Sequence, residues 1–92
     1  MACIQFKAFG RVQGVFFRAS IAEKARGLGV KGWVRNARDS GVVEGVFQGR
    51  NDAVKALIEF LKASPGKSEV ERIEVREVKS GNAFEGFSVQ GN

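Results

Sequence analysis

The order in which strand-like and helix-like hydrophobic patterns follow one another constrains the fold of this chain most. Apolar and polar residues alternate at 4–8, which predicts a strand, and apolar residues at helical spacing predict a helix over 21–28. Residues 30–49 predict a hairpin of two strands. A second helix over 51–61 and a strand over 70–78 complete the main pattern.

The second helix carries the clearest periodicity. Its apolar residues recur at i, i+3, i+4 and i+7: Val54, Leu57, Ile58 and Leu61. We expect Asn51 to cap its N-terminus, with Asp52 in the first turn, where the helix dipole favours an anion. Ser64-Pro65-Gly66 is expected to end this helix, and Gly29 is expected to end the first one.

The elements therefore follow the order β-α-β-β-α-β, and Phe87–Val89 is expected to add a short C-terminal strand. For 92 residues we expect one domain, spanning 1–92. This order favours an α+β fold, an antiparallel sheet with both helices on one face. The split β-α-β pattern is ferredoxin-like, and because that fold serves many functions, the chemistry must be argued from individual residues.

Residues that are missing from the sequence limit the possible chemistry. There is no histidine and no tyrosine, and Cys3 is the only cysteine. A Ser–His or Cys–His nucleophile, a histidine metal ligand and an intrachain disulfide are therefore excluded. Any reaction must proceed without a group that by default titrates near neutral pH.

Positive charge is concentrated in the first part of the chain. Residues 1–38 contain eight lysines and arginines and one acidic residue, a net charge of +7, whereas residues 39–92 contain seven and nine, a net −2. This asymmetry fits a nucleic acid, a small phosphorylated metabolite or simply a solvated surface. No apolar run approaches the roughly 18 residues that span a membrane. No signal-peptide pattern is present either, so we expect a cytoplasmic protein with no membrane partner.

The segment GRVQGVFFR at 10–18, between the first strand and the first helix, is the first candidate for function. A glycine-containing loop that enters a helix N-terminus presents free N–H groups, which bind phosphate. Arg18, at the helix start, could grip two phosphate oxygens. The alternative is a plain connection with a solvated Arg18. No Gly-Lys-Ser/Thr follows, which argues against a loop for ATP or GTP.

Asn36 is the second candidate, near the end of a predicted strand and just before the hairpin turn. Its side-chain amide offers an acceptor and two donors and could hold a water molecule in position. The alternative is that Asn36 only begins the turn. Trp33, three residues earlier, is expected to be structural.

Both candidates lie in segments that resemble the two signatures of the acylphosphatase family. GRVQGVFFR at 10–18 resembles the first signature, and LGVKGWVRN at 28–36 resembles the second. GVFQG at 45–49 and the helix after it also fit, so the resemblance covers essentially the whole chain. The turn at 39–41 is one residue longer than is common in the family, at a hairpin tip that should tolerate an insertion.

The resemblance implies a ferredoxin-like fold and the hydrolysis of acyl phosphates to a carboxylate and inorganic phosphate. It implies a phosphate-binding loop of six residues: Gln13, Gly14, Val15, Phe16, Phe17 and Arg18. Arg18 would bind the substrate and Asn36 would position the nucleophilic water, as the two catalytic residues. Neither a metal nor another cofactor is implied. We expect a monomer whose partners are a small acyl phosphate and inorganic phosphate, the latter as product and inhibitor.

A nucleic-acid-binding module is the main alternative, because RNA-recognition motifs share this type of fold and the chain is basic. Such modules carry aromatic residues on the third strand in a Lys/Arg-Gly-Phe/Tyr context. Here the third strand reads VVEGVF at 42–47, with an acidic residue and one aromatic, so we expect no nucleic-acid partner. A non-catalytic or carbamoyl-handling domain of the same family is a further alternative; the short chain favours a stand-alone enzyme.

Overall fold

The structure, a computed structural model, describes residues 1–13, 16–39, 41–65, 68–79 and 84–90. The described residues form five strands and two helices. In chain order they are β1 (Ala2–Arg11), α1 (Phe17–Leu28), β2 (Lys31–Asn36), β3 (Val42–Gly49), α2 (Asn51–Lys62), β4 (Glu69–Glu77) and β5 (Phe87–Val89).

The strands form one sheet in the order β4-β1-β3-β2-β5. β1 pairs antiparallel with both β3 and β4, and β2 pairs antiparallel with β3. The short β5 lies parallel to β2 at the edge of the sheet, so the whole sheet is mixed. The predicted ferredoxin-like α+β fold is confirmed. The expectation of an antiparallel sheet is correct for β1 to β4 but wrong for the predicted extra strand, because β5 joins the sheet edge parallel to β2.

The core lies between one face of the sheet and the two helices. Alternate residues of β1 are buried, among them Phe6, whose ring stacks on that of Phe47 in β3 with 4.4 Å between the ring centroids. The helices bury Ile21 of α1 and Leu57 and Leu61 of α2 against this face. The apolar residues that recur at helical spacing in α2 therefore form the face that packs on the sheet.

A β-bulge explains why the apolar pattern of β4 is irregular. Phe9 of β1 pairs with Arg72 and Gly10 with Val70, so Glu71 is left as an extra residue on β4. A regular strand would turn Glu71 toward the helices, whereas the bulge brings Val70 there, where it packs against the core. The bulge thus keeps an acidic side chain out of the apolar layer.

The start of α2 differs from the prediction. Arg50, in extended conformation, is the N-cap residue, and Asn51 is the first helical residue rather than the cap. Asp52 lies in the first turn as expected, and its Oδ1 accepts a hydrogen bond of 2.9 Å from the Ala53 N–H. Because a carboxylate already meets the positive end of this helix, capping by the neutral Asn51 side chain is not required.

Strand direction brings the two sequence signatures to one end of the sheet. β1 and β2 both run antiparallel to β3, so they are parallel to each other, and β5 is parallel to β2. The carboxyl ends of β1, β2 and β5 therefore lie at the same end of the sheet. The loop toward α1, Asn36 and the last described residue, Gln90, all follow or end these strands.

Candidate active site

The N-terminus of α1 has no side-chain cap. Phe16, the N-cap residue, has left-handed backbone angles of φ 60° and ψ 19°, no side-chain capping hydrogen bond is made, and the first turn contains no acidic residue. A left-handed conformation costs a residue other than glycine about 1–2 kcal/mol. The free N–H groups and the positive end of the helix dipole are thus left without an anion from α1 itself. Such a helix end is suited to an external anion.

Arg18 adds a positive charge to this helix end. It is the second residue of α1, and its Nη1 donates a hydrogen bond of 2.9 Å to the backbone oxygen of Gln90. A cation in the first turn is unfavourable for the helix, since it repels the positive end of the dipole. Helix stability therefore does not account for Arg18. A guanidinium has five N–H donors, of which Gln90 takes one.

Gln90 connects Arg18 to the strand that carries Asn36. Its carbonyl oxygen accepts from Arg18, and its N–H donates a bond of 2.8 Å to the backbone oxygen of Val34, two residues before Asn36. The contact runs through backbone groups. No side-chain pattern in the sequence predicts it, because every residue other than proline offers the same N–H and C=O.

Asn36 carries an unsatisfied polar atom. It is the last residue of β2, pairs with Val43 of β3, and lies on the same face of the sheet as the buried Val34. Its Oδ1 is buried and has no hydrogen-bond partner within the described part of the chain. Leaving a buried acceptor unpaired costs about 1–3 kcal/mol. Such an atom in a native fold points to a role outside folding.

Gln13 fastens the loop after β1 to the β2–β3 hairpin. The two N–H groups of its Nε2 are shared among three backbone oxygens, at 2.8 Å from Val42, 3.2 Å from Asp39 and 3.5 Å from Ala37. Ala37 directly follows Asn36, so the side chain of Gln13 holds the loop beside the end of β2. Gln13 was predicted as one of the phosphate-loop residues. The bridging role of its side chain was not foreseen.

The predicted phosphate-binding residues are thus placed in different ways. Phe17 is almost fully buried, so its side chain packs in the core and only its backbone is available at the start of α1. Phe16 is 85% exposed. Gly14 and Val15 lie outside the described residues.

Among the described residues, no group of three or more His, Cys, Asp or Glu side chains is placed where it could hold a metal ion. No helix in this part of the chain has the length and apolar character to cross a membrane.

A basic, uncapped helix start that is linked through Gln90 to the strand carrying an unpaired amide acceptor is suited to an enzyme that acts on a phosphoryl group. The family model described as acylphosphatase matches residues 4–89. An acylphosphatase of Pyrobaculum calidifontis is 46% identical over 80 residues, 87% of this chain and 73% of the relative. One of Thiobacillus denitrificans is 44% identical over 87 residues, 95% of this chain and 94% of the relative.

A solved structure agrees with these sequence matches. The crystal structure of acylphosphatase from Bacillus subtilis superposes with a TM-score of 0.90 at 34% identity, covering 98% of this chain and 99% of that one. The chain belongs to the acylphosphatase family. It is an enzyme, a hydrolase of acyl phosphates.

Proposed function

We propose that this acylphosphatase binds the phosphoryl group of its substrate with Arg18 and the N–H groups of residues 13–18, and that Asn36 positions the attacking water. One observation carries the proposal. The buried Oδ1 of Asn36 has no partner among the described residues, and it lies at the strand end to which Gln13 fastens the loop. The Asn36 side chain thus offers an unused hydrogen-bond acceptor next to the loop that we propose to bind phosphate.

Arg18 supplies the charge that holds the substrate. Its planar guanidinium matches two phosphoryl oxygens at once, and the uncapped N–H groups at the start of α1 add further donors. The 2.9 Å hydrogen bond to the backbone oxygen of Gln90 restricts the position of the guanidinium. Preorganised donors of this kind act without reorganisation at the moment of reaction.

Asn36 supplies direction rather than charge. A water that donates one proton to Oδ1 keeps its lone pairs free for attack on phosphorus. Because Oδ1 is buried, this assignment requires the Asn36 amide to reorient before a water can bind to it. That water displaces no hydrogen bond made by the described residues, which favours its binding.

The leaving group explains why so few residues are required. The departing carboxylate has a pKa of about 4 in ordinary acids, so it leaves without a general acid. The new bond joins the water oxygen to phosphorus, the bond from phosphorus to the acyl oxygen breaks, and a carboxylate and inorganic phosphate are released. A phosphoryl oxygen of the substrate takes the proton from the water, because the chain has no histidine. The transition state is loose, so positioning and charge stabilisation provide most of the catalysis.

Metal independence follows from this assignment, because Arg18 and the N–H groups provide the positive charge that Mg²⁺ provides in many phosphoryl-transfer enzymes. The test is phosphate release from acetyl phosphate in excess EDTA, with and without added Mg²⁺, after subtraction of spontaneous hydrolysis. Equal turnover in both conditions and competitive inhibition by inorganic phosphate are expected. Turnover that EDTA abolishes and Mg²⁺ restores would contradict the proposal.

Three further expectations accompany the proposal: a cytoplasmic location, a monomeric state and no nucleic-acid partner. The last is supported by the sheet face opposite the helices. There Arg35 lies over the Trp33 ring at 4.9 Å and Arg72 over the Phe9 ring at 4.1 Å, measured to the ring centroids. RNA bases stack on open aromatic rings, and both of these rings already carry an arginine.

A further inference from the structure

We infer that Arg26, in the last turn of α1, is a positioning residue for the reaction: it holds β5 against α1 and thereby fixes the Gln90 carbonyl that restrains Arg18. The inference rests on the proposed function, because it takes Arg18 to bind the phosphoryl group. Arg26 lies between the two sequence signatures and belongs to neither, so no motif assigns it a role.

Two arginines of α1 contact the two ends of one short segment. Nη2 of Arg26 donates a hydrogen bond of 2.9 Å to the backbone oxygen of Phe87, the first residue of β5. Arg18 donates to the backbone oxygen of Gln90, the residue that follows β5. The two arginines are separated by about 12 Å along the helix axis, and the two carbonyls by about 10 Å along the strand. The helix and the segment 87–90 are therefore joined side by side at both ends.

The strand β5 pairs on one side only. It has three residues, and in the described part of the chain its one neighbouring strand is β2. The Gly86 oxygen and the Gln90 N–H bond to β2, at 2.9 Å and 2.8 Å. Because successive residues of a strand direct their backbone groups to opposite sides, the Phe87 carbonyl points away from β2. The Phe87 ring is buried in the core, and Arg26 fixes the carbonyl of the same residue.

The stability of α1 alone does not explain this contact. A cation in the last turn of a helix interacts favourably with the negative end of the helix dipole, and Arg26 has that position. The dipole requires a positive charge near the helix end but no particular partner for it. The bond to Phe87 is directed, and it joins α1 to an element that lies 61 residues further along the chain. Arg26 thus does more than complement the dipole.

Loss of the Arg26 contact should weaken phosphate binding. Without it the segment 87–90 is joined to α1 less firmly, so the Gln90 oxygen no longer holds the Arg18 guanidinium in one position. A shift of a positioned group by about 1 Å can cost about 10²-fold in rate. For the partial shift in Arg26→Ala we expect KM and the phosphate inhibition constant to rise by at least about threefold and kcat/KM to fall by about tenfold. A purely structural loss would only reduce the folded fraction, which lowers the apparent kcat and leaves KM and the inhibition constant unchanged.

The test measures kcat and KM for acetyl phosphate, the phosphate inhibition constant and urea unfolding in the wild type, Arg26→Ala, Arg26→Lys and Arg76→Ala. An ionic strength of about 0.15 M screens exposed charges more than about 8 Å apart, so the loss of a distant charge has little effect by itself. Arg76→Ala is the matched control, because Arg76 also makes a side-chain hydrogen bond, at 2.7 Å to Gln5, but on the opposite edge strand β4. It should keep the wild-type KM and inhibition constant. Arg26→Lys should recover most of the phosphate affinity, since its ammonium group can donate to the Phe87 carbonyl.

An unchanged KM and inhibition constant in Arg26→Ala would overturn the inference, and so would equal rises in Arg76→Ala or in Arg26→Lys. If Arg26→Ala does not fold, Arg26→Gln replaces it with the same expectation, because its side chain is too short to make the same contact. Arg18→Ala, assayed alongside, separates two kinds of failure. Turnover that depends on Arg18 while Arg26→Ala behaves as the wild type would remove only this inference. Turnover that Arg18→Ala leaves unchanged would remove the proposed function itself.

Discussion

Among single residues, Gln13 holds the loop after β1 against the β2–β3 hairpin, since its side-chain amide contacts three carbonyl oxygens of the hairpin. We expect Gln13→Ala to lower the unfolding free energy by about 1 kcal/mol, the net value of an ordinary hydrogen bond. We expect a drop in kcat/KM of about tenfold or more, because displacement of a catalytic group by a fraction of an ångström is costly. Gln13→Glu should be worse, since its carboxylate would face carbonyl oxygens.

The control for this prediction is Gln5→Ala. Gln5 also makes a side-chain hydrogen bond, at 2.7 Å from Arg76 to its Oε1, but on β1 and away from the loop. Steady-state kinetics and urea unfolding of both variants separate the two effects. Equal kcat/KM for Gln13→Ala and Gln5→Ala would show that the loop does not depend on this tether.

At the scale of residues, side-chain chemistry could nominate Arg18 and Asn36 but not their surroundings. An arginine at a helix start and an amide at a strand end stand out in the sequence. The orienting contact from Gln90 does not, because it uses the backbone. Nor does the unpaired Oδ1 of Asn36, which results from the packing of segments distant in sequence.

Among the elements, α1 gives the most direct test of backbone conformation. Gly27, in the last turns of the helix, and Gly29, its C-cap, both have open space where a Cβ would lie, but Gly29 has φ +73°. Gly27→Ala should stabilise the protein by about 0.5–1 kcal/mol through helix propensity. Gly29→Ala should destabilise it by about 1 kcal/mol, because a Cβ is unfavourable in the left-handed region.

Chemical denaturation of the two alanine variants measures both changes, and turnover of acetyl phosphate should stay at the wild-type level in Gly27→Ala. Opposite signs are the expected result. Destabilisation of similar size in both variants would mean that the difference in φ between the two glycines does not determine the effect of the added Cβ.

The elements also show where sequence patterns stop being sufficient. The apolar stripe of α2 is a local property of the chain, and its helix was predicted correctly. The bulge at Glu71 depends on the pairing of β4 with β1, which no local pattern contains. The left-handed angles of Phe16 were not foreseeable either, since glycine or asparagine is the usual residue for that conformation.

At the scale of the whole molecule, the topology predicts that phosphate bound at the proposed site stabilises the fold. The residues of the proposed site come from β2, the loop after β1 and the start of α1, so an anion bound there joins segments that separate on unfolding. Inorganic phosphate at 100 times its dissociation constant should raise the unfolding free energy by about 2.7 kcal/mol. For a domain of this size that corresponds to a rise in Tm of about 10 °C or more.

Differential scanning fluorimetry with phosphate, and with chloride at equal ionic strength, measures this shift. Chloride should have a much smaller effect, and Arg18→Ala should lose the response to phosphate. A shift of equal size in wild type and Arg18→Ala would place the anion elsewhere.

The division of roles between Arg18 and Asn36 is the central claim, and it is tested most directly by kcat and the phosphate inhibition constant of the two alanine variants. Circular dichroism first establishes that both are folded. Arg18→Ala should lose turnover and phosphate inhibition together, because it removes the charge that holds the phosphoryl group. Asn36→Ala should lower kcat by about 10²-fold or more while the inhibition constant stays near the wild-type value. Full activity of Asn36→Ala, or a loss of phosphate binding as large as that of Arg18→Ala, would contradict the account.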